Sequence, residues 1–274
     1  YVEAVTGLKR TSYSRSVVIS KFIEGLTHSV QVCITKYGIF SSGVQKQLVD
    51  SEFLCNTKLQ GATRWCGGEL GVEYPDIVQH QATEMATIVG SELASHGYKG
   101  IFGIDIILTP ENEVYAIEIN ARHTGYSHVI SDMQLKQGKI PFMLLHVLEL
   151  ANQPYEVTDL DSLPSVARYK KPVSYLIINN RSNEPVKLEV EIPCGIYKVN
   201  NDSLEFIKSA ISIDQLQGDN TILINCRNDK GGIVDPGKRI LKITKYGKSM
   251  AKEDLNFKSQ HVIKVVKKHF NLPE

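Results

Sequence analysis

The chain has no paired cysteines. Its five, Cys33, Cys55, Cys66, Cys194 and Cys226, stand singly, with no CxxC among them. A disulfide framework or a zinc site is therefore not expected, and reduced thiols point to the cytoplasm. No apolar run reaches the roughly 18 residues of a membrane span. An excess of either charge is also lacking, since 31 basic and 30 acidic side chains leave a net charge of +1. Such a balance gives no global reason to expect nucleic acid or an acidic membrane as partner. Internal repeats and low-complexity tracts are absent. The first residue is Tyr1, without a Met, signal peptide or transit segment there, so the sequence reads as a piece of a longer protein.

What is present is an ordinary globular mixture of 274 residues, 42% apolar and 22% charged. That length suits one large or two medium domains. Two β-rich runs, Val17 to Ile23 and Ser29 to Thr35, flank Glu24-Gly25 and predict an antiparallel strand pair. Ser51 to Gly71 holds four glycines around the only tryptophan, Trp65, and reads as an ordered loop. Pro75 to Gly97 has apolar residues at helical spacing and ends in His96-Gly97. Gly103 to Leu108 and Val114 to Ile119 are strands joined by a turn at Thr109-Pro110-Glu111-Asn112. Pro141 to Leu150 is an apolar helix. From residue 166 the pattern becomes short β-like runs: Ser174 to Ile178, Val186 to Ile192, Thr221 to Cys226 and Ile240 to Thr244. An amphipathic helix over about His261 to Phe270 follows. The organisation predicted is an α+β domain over 1–165 and a smaller β-rich domain over 166–274.

The chemistry concentrates in Phe102 to His128, FGIDIILTPENEVYAIEINARHTGYSH. Asp105 lies on one strand, and Glu118 lies 13 positions later on the next, with Asn120 two beyond. Residues i and i+2 of a strand share a face, so Glu118 and Asn120 project together. A hairpin turning near Pro110 to Glu113 brings Asp105 opposite Glu118. Carboxylates within apolar strands are costly unless a cation pairs with them. Hard oxygen donors that leave a coordination shell incomplete suit Mg²⁺, with nucleotide phosphates supplying the remainder. Two solvated carboxylates on an edge hairpin would satisfy the same spacing.

At these residues the sequence resembles the ATP-grasp ligases, in which an acid on one strand and Glu-x-Asn on the next hold Mg²⁺ between ATP phosphates. Asp105, Glu118 and Asn120 match that pattern, and Arg122 completes the Asn-x-Arg of many members. The resemblance implies that Arg122 stabilises an acyl phosphate, for which a guanidinium fork is well shaped. Upstream, Ser20-Lys21-Phe22-Ile23-Glu24-Gly25 resembles the hinge Glu-x-Phe-Ile-x-Gly. This assigns the adenine edge to the backbone near Lys21 and Ile23, with Phe22 as an apolar flank. The acid that often holds the ribose is missing from Leu26-Thr27-His28, leaving His28 or Thr27 to substitute. The resemblance covers about residues 15–135. It implies an ATP-grasp fold, an antiparallel sheet with helices, whose N-terminal part is missing from the sequence.

Two departures stand out. Tyr1 to Ser16 is too short for the lid with its phosphate-gripping lysine, and Gly103 sits where many relatives carry Arg. Gly61 to Gly71 falls where relatives shape the acceptor pocket, so Arg64 is a candidate for a substrate carboxylate and Trp65 for a wall. His123 and Tyr126 follow the metal strand and are further substrate candidates. The implied activity is ATP- and Mg²⁺-dependent (Mn²⁺ as a substitute): a carboxylate becomes an acyl phosphate, ADP leaves, and an amine displaces phosphate. An amino acid or related metabolite is the expected acid. A biotin carboxylase-like enzyme is an alternative, disfavoured by His123-Thr124-Gly125-Tyr126 after the arginine. A nucleotide-binding module without catalysis is another. Residues 166–274 would close the acceptor site or make a homodimer contact.

Overall fold

Alternating polar and apolar residues make this chain a succession of hairpins. The computed structural model describes residues 20–59, 64–164 and 171–273. In chain order it contains β1 (Leu26–Thr35), β2 (Gly38–Val49), β3 (Trp65–Leu70), α1 (Asp76–Ser95), β4 (Gly100–Leu108), β5 (Val114–Asn120), α2 (Ser127–Lys136) and α3 (Phe142–Leu150). There follow β6 (Val173–Asn179), β7 (Val186–Lys187), β8 (Gly195–Asn200), β9 (Ser203–Ser209), β10 (Thr221–Cys226), β11 (Ile233–Val234), β12 (Arg239–Tyr246), β13 (Met250–Ala251), β14 (Asp254–Leu255) and α4 (Phe257–His269). Ten strands form one sheet in the order β5-β4-β1-β2-β3-β6-β12-β10-β8-β9. The architecture is mixed α+β, as expected. The pairing runs on from β3 to β6, across the position near residue 165 where composition shifts.

Side-chain alternation divides the sheet into two faces. Val30, Val32, Ile34, Phe102, Ile104 and Ile106 turn to α1 and meet Val78, Ala82 and Ala86. Further along, Leu48, Leu176, Ile178, Leu241 and Ile243 pack with Val262, Ile263 and Val266 of α4. The opposite face carries Cys33, Ile101, Tyr175 and Ile177, covered by Val129 and Ile130 of α2 and by Phe142 and Leu145 of α3. Each fully buried aliphatic or aromatic side chain here contributes about 1.5–3 kcal/mol relative to exposure. No helix among the described residues is long and apolar enough to cross a membrane.

Several elements differ from the sequence expectation. Of the anticipated strand Val17 to Ile23, residues 17–19 lie outside the described residues. Ser20 to Glu24 adopt no regular structure. Strand β1 begins only after Gly25, and its hairpin partner is β2, in register from His28↔Lys46 to Thr35↔Gly38. Strand β2 is hidden in sequence because Ser41, Ser42, Gln45 and Gln47 interrupt its apolar pattern. Within the sheet Ser42, Gln45 and Gln47 find partners. Ser42 Oγ accepts from the Gln31 amide at 3.1 Å and from Gln45 Nε2 at 2.5 Å.

The expected loop Ser51 to Gly71 ends in strand β3. Its glycines are what allow the chain to pass there. A Cβ on Gly67 would stand 1.9 Å from the Tyr175 carbonyl oxygen, and one on Gly68 would stand 1.9 Å from the Tyr126 hydroxyl. Val186 to Ile192 yields only the two-residue β7, while β8, β9 and α2 were not anticipated. The final helix starts one turn earlier than expected, at Phe257. Asn256 caps it, accepting from the Ser259 amide at 2.9 Å. Asn256→Ala is expected to lower stability by about 1 kcal/mol, read from urea unfolding.

Candidate active site

The β4–β5 hairpin sets the site. Its register places Asp105 directly opposite Glu118 and Gly103 opposite Asn120, with an extra residue accommodated beyond Asp105. Strand β1 adds Ser29, which pairs with Asp105. All these positions share the sheet face away from α1. Asn120 Nδ2 donates to Asp105 Oδ2 at 3.0 Å, and Gln47 Nε2 donates to Asp105 Oδ1 at 2.9 Å. Arg122 donates to Asn120 Oδ1 at 3.0 Å and to the His123 carbonyl at 3.2 Å. Asp105, Glu118, Asn120 and Arg122 therefore line one cleft of about 450 Å³, walled by Trp65 and Tyr126. That volume is within the usual range for small-molecule sites.

Electrostatics mark Asp105. Burial raises its pKa above the ordinary carboxylate value and the charge of Glu118 raises it further, while hydrogen bonds from Gln47 and Asn120 and the charge of Arg122 act the other way. Two carboxylates opposed across a strand pair repel each other. A hard divalent cation would remove that repulsion, and the donor set of two carboxylates and one amide oxygen fits such an ion. Among the described residues no group of three or more His, Cys, Asp or Glu could hold a metal by itself. The set is thus incomplete without oxygens from a ligand.

The support beneath the cleft was not legible as a motif. Gln31 is fully buried, and its Oε1 accepts from Thr124 Oγ1 at 2.9 Å and from Ser127 Oγ. This ties the segment after Arg122 to β1. Thr124 also explains Gly103, because a Cβ there would meet Thr124 Cγ2 at 2.5 Å. A Cβ on Gly125 would stand 2.1 Å from Cη2 of the Trp65 ring. Sequence reasoning missed Ser29, Gln47 and Thr124, which line the cleft. Gln47 could have been found only by recognising β2 as a strand.

The remaining candidates are placed as follows. Lys21 and Phe22 precede β1 and are exposed, Phe22 at 87%. Ile23 is half-buried. His28 is 1% exposed and lies one residue out of phase with Ser29, on the α1 face. Its ring packs edge-on against Tyr74 at 5.3 Å, and its Nδ1 lies 2.9 Å from the Leu26 carbonyl. The ribose contact inferred for His28 is therefore corrected, since strand parity turns its side chain from the cleft. Arg64 forms an ion pair with Asp50 at the surface and does not line the cleft. His123 is exposed and packs edge-on against His146, with ring centroids 4.4 Å apart. Tyr126 does line the cleft, but its hydroxyl lies 2.9 Å from the carbonyls of Lys46 and Gly67, so it serves the sheet.

Burial lowers the pKa of His28 from 6.5 to about 4. An unfolded chain takes up this proton near pH 6.5, while the folded chain does so only near pH 4. The unfolded state binds more protons in that window, so stability falls as the pH drops through it. Thermal unfolding between pH 7 and 4 is expected to show this loss, of the order of a few kcal/mol. His28→Gln should flatten the profile, and an unchanged pH dependence would contradict the assignment.

Comparison with known proteins bears on the fold. Residues 3–126 match the family model described as ATP-grasp domain. Phosphoribosylglycinamide synthetase from Anaerococcus prevotii is 14% identical, with a TM-score of 0.52, over 91% of this chain and 56% of that one. L-amino acid ligase from Bacillus licheniformis is 13% identical, with a TM-score of 0.53, over 92% and 55%. Biotin carboxylase from Campylobacter jejuni, solved as a β-γ-ATP complex, is 14% identical, with a TM-score of 0.53, over 88% and 44%. No curated protein matches the sequence. The chain spans about half the length of these solved structures. Residues 3–126 are thus similar to an ATP-grasp domain, and the fold is the ATP-grasp fold.

Proposed function

We propose that this chain forms the nucleotide and metal site of an ATP-dependent ligase. The reaction joins a carboxylate, of an amino acid or related metabolite, to an amine, with ADP released and the acid activated as an acyl phosphate. The observation that carries the reading is the register Asp105↔Glu118, with Asn120 bonded to Asp105 and Arg122 at the rim of the same cleft.

Asp105, Glu118 and Asn120 are the groups that would hold Mg²⁺, or Mn²⁺ in its place. Bound there with nucleotide, the ion would neutralise phosphate oxygens. Arg122 offers its fork to charge developing on the transferred phosphoryl group. The indole of Trp65 walls the cleft and limits water. The backbone of Lys21 to Ile23 is assigned to the adenine edge, with Phe22 against the ring. Positioning and charge suffice for this chemistry, so no protein nucleophile is invoked. All five cysteines are free, which supports a cytoplasmic setting.

ADP release from MgATP, screened against pools of amino acids and amines, tests the reading. Release that requires both an acid and an amine supports it. Release driven by bicarbonate alone would favour the carboxylase alternative.

A further inference from the structure

The ten-stranded sheet has two ends. At one, β5 carries a single charge, Glu118, and belongs to the cleft. At the other, β9 (SLEFIKS) is bonded to β8, and among the described residues no strand pairs with its outer side. Such an edge is a template for another chain unless it is guarded by proline, a run of like charge, a bulge or a covering element. Strand β9 has no proline, and its two charges, Glu205 and Lys208, are opposite in sign. Between them Phe206 and Ile207 are 44% and 48% exposed. The one guard present is a bulge, and it has a second consequence.

Glu205 pairs with Lys198 of β8, and Lys208 pairs with Ile196. Lys198 and Ile196 are two apart on one strand and share a face, and residues opposed across a strand pair share it too. Ile207 is the extra residue of β9, so Glu205 and Lys208, three apart in sequence, come to the same face. Phe206 pairs with Tyr197 and turns to the other face, where the two rings meet edge-on at 5.2 Å. Glu205 accepts from Asn200 Nδ2 at 3.2 Å. Among the described residues neither Glu205 nor Lys208 forms an ion pair. The edge therefore presents an acid and a base on one face, with apolar side chains between them.

We infer that β9 pairs antiparallel with β9 of a second copy of this chain, about a two-fold axis midway between Glu205 and Lys208. In that register Glu205 of each copy faces Lys208 of the other, and Phe206 of each faces Ile207 of the other. Opposite charges across an antiparallel pair are favourable, and a two-fold axis makes the same contact twice. The contact is closed, so it yields a dimer and joins two ten-stranded sheets into one. The cleft at β4 and β5 lies at the far end of each sheet and stays open. This inference gives the homodimer contact expected in residues 166–274 a surface and a register, and it does not depend on the ligase reading.

Sedimentation velocity of the full chain over a range of concentrations, at low ionic strength, tests the pairing. Wild type is expected to dimerise. Glu205→Lys alone and Lys208→Glu alone each set like charges opposite one another at both contacts, and each should weaken the dimer by about tenfold or more. Both changes in one chain exchange the signs and should restore it. An equimolar mixture of the two single variants should also restore it, because every Lys then faces a Glu. Both positions are exposed, so far-ultraviolet circular dichroism should be the same for all four proteins. A wild-type chain that stays monomeric at hundreds of micromolar would overturn the inference. Single variants that dimerise as wild type does, or a mixture no more associated than its components, would overturn it equally.

Discussion

Replacing Glu118 by Ala is expected to abolish ADP release and to weaken binding of a nonhydrolysable ATP analogue in the presence of Mg²⁺ by roughly 100-fold. In EDTA the two proteins should bind the analogue equally. Glu118 is exposed, and it stands opposite Asp105 across the strand pair. Its removal relieves a like-charge pair, so thermal stability should hold or rise by up to about 1 kcal/mol. Loss of function without loss of stability is the signature of a ligand position. Trp65 provides a direct readout, since it is the only tryptophan and lines the cleft. Its fluorescence should change on addition of magnesium and nucleotide in wild type and stay nearly constant in the variant. Equal Mg²⁺-dependent binding by both proteins would remove Glu118 from the metal site.

Gly67→Ala is expected to have the largest effect on the fold. Gly67 has φ of +113°, a region that L side chains rarely occupy. A Cβ there would come within 1.9 Å of the Tyr175 carbonyl oxygen. The obstacle is backbone of the neighbouring strand, so no rotamer change can relieve it. The cost should reach about 3 kcal/mol or more, combining backbone strain and overpacking. The damage would fall at the β3–β6 seam, through which the two halves of the sheet are joined. Chemical unfolding would show a lower midpoint at unchanged slope. A variant as stable as wild type would mean that the strands pack less closely than described.

The site was more legible than the fold around it. Asp105, Glu118, Asn120 and Arg122 follow one another at spacings that strand geometry converts directly into proximity, so two short runs and a turn sufficed to place them. The same parity turns His28 to α1, and a one-residue offset cannot be seen until the partner strand is known. Strand β2 escaped notice because its buried serines and glutamines look like loop residues; Ser42 Oγ accepts from the Gln31 amide and from Gln45 Nε2, and Gln47 Nε2 donates to Asp105, which satisfies them inside a sheet. In β3 the glycines that suggested a loop were required by neighbours distant in sequence, Tyr126 and Tyr175.

The most direct test of the account is diffraction from crystals grown with Mn²⁺ and a nonhydrolysable ATP analogue, recorded where manganese scatters anomalously. The account predicts a manganese peak between the carboxylates of Asp105 and Glu118, with Asn120 beside it and phosphate oxygens completing its shell. Manganese bound elsewhere, or nucleotide bound with both carboxylates free of metal, would contradict it.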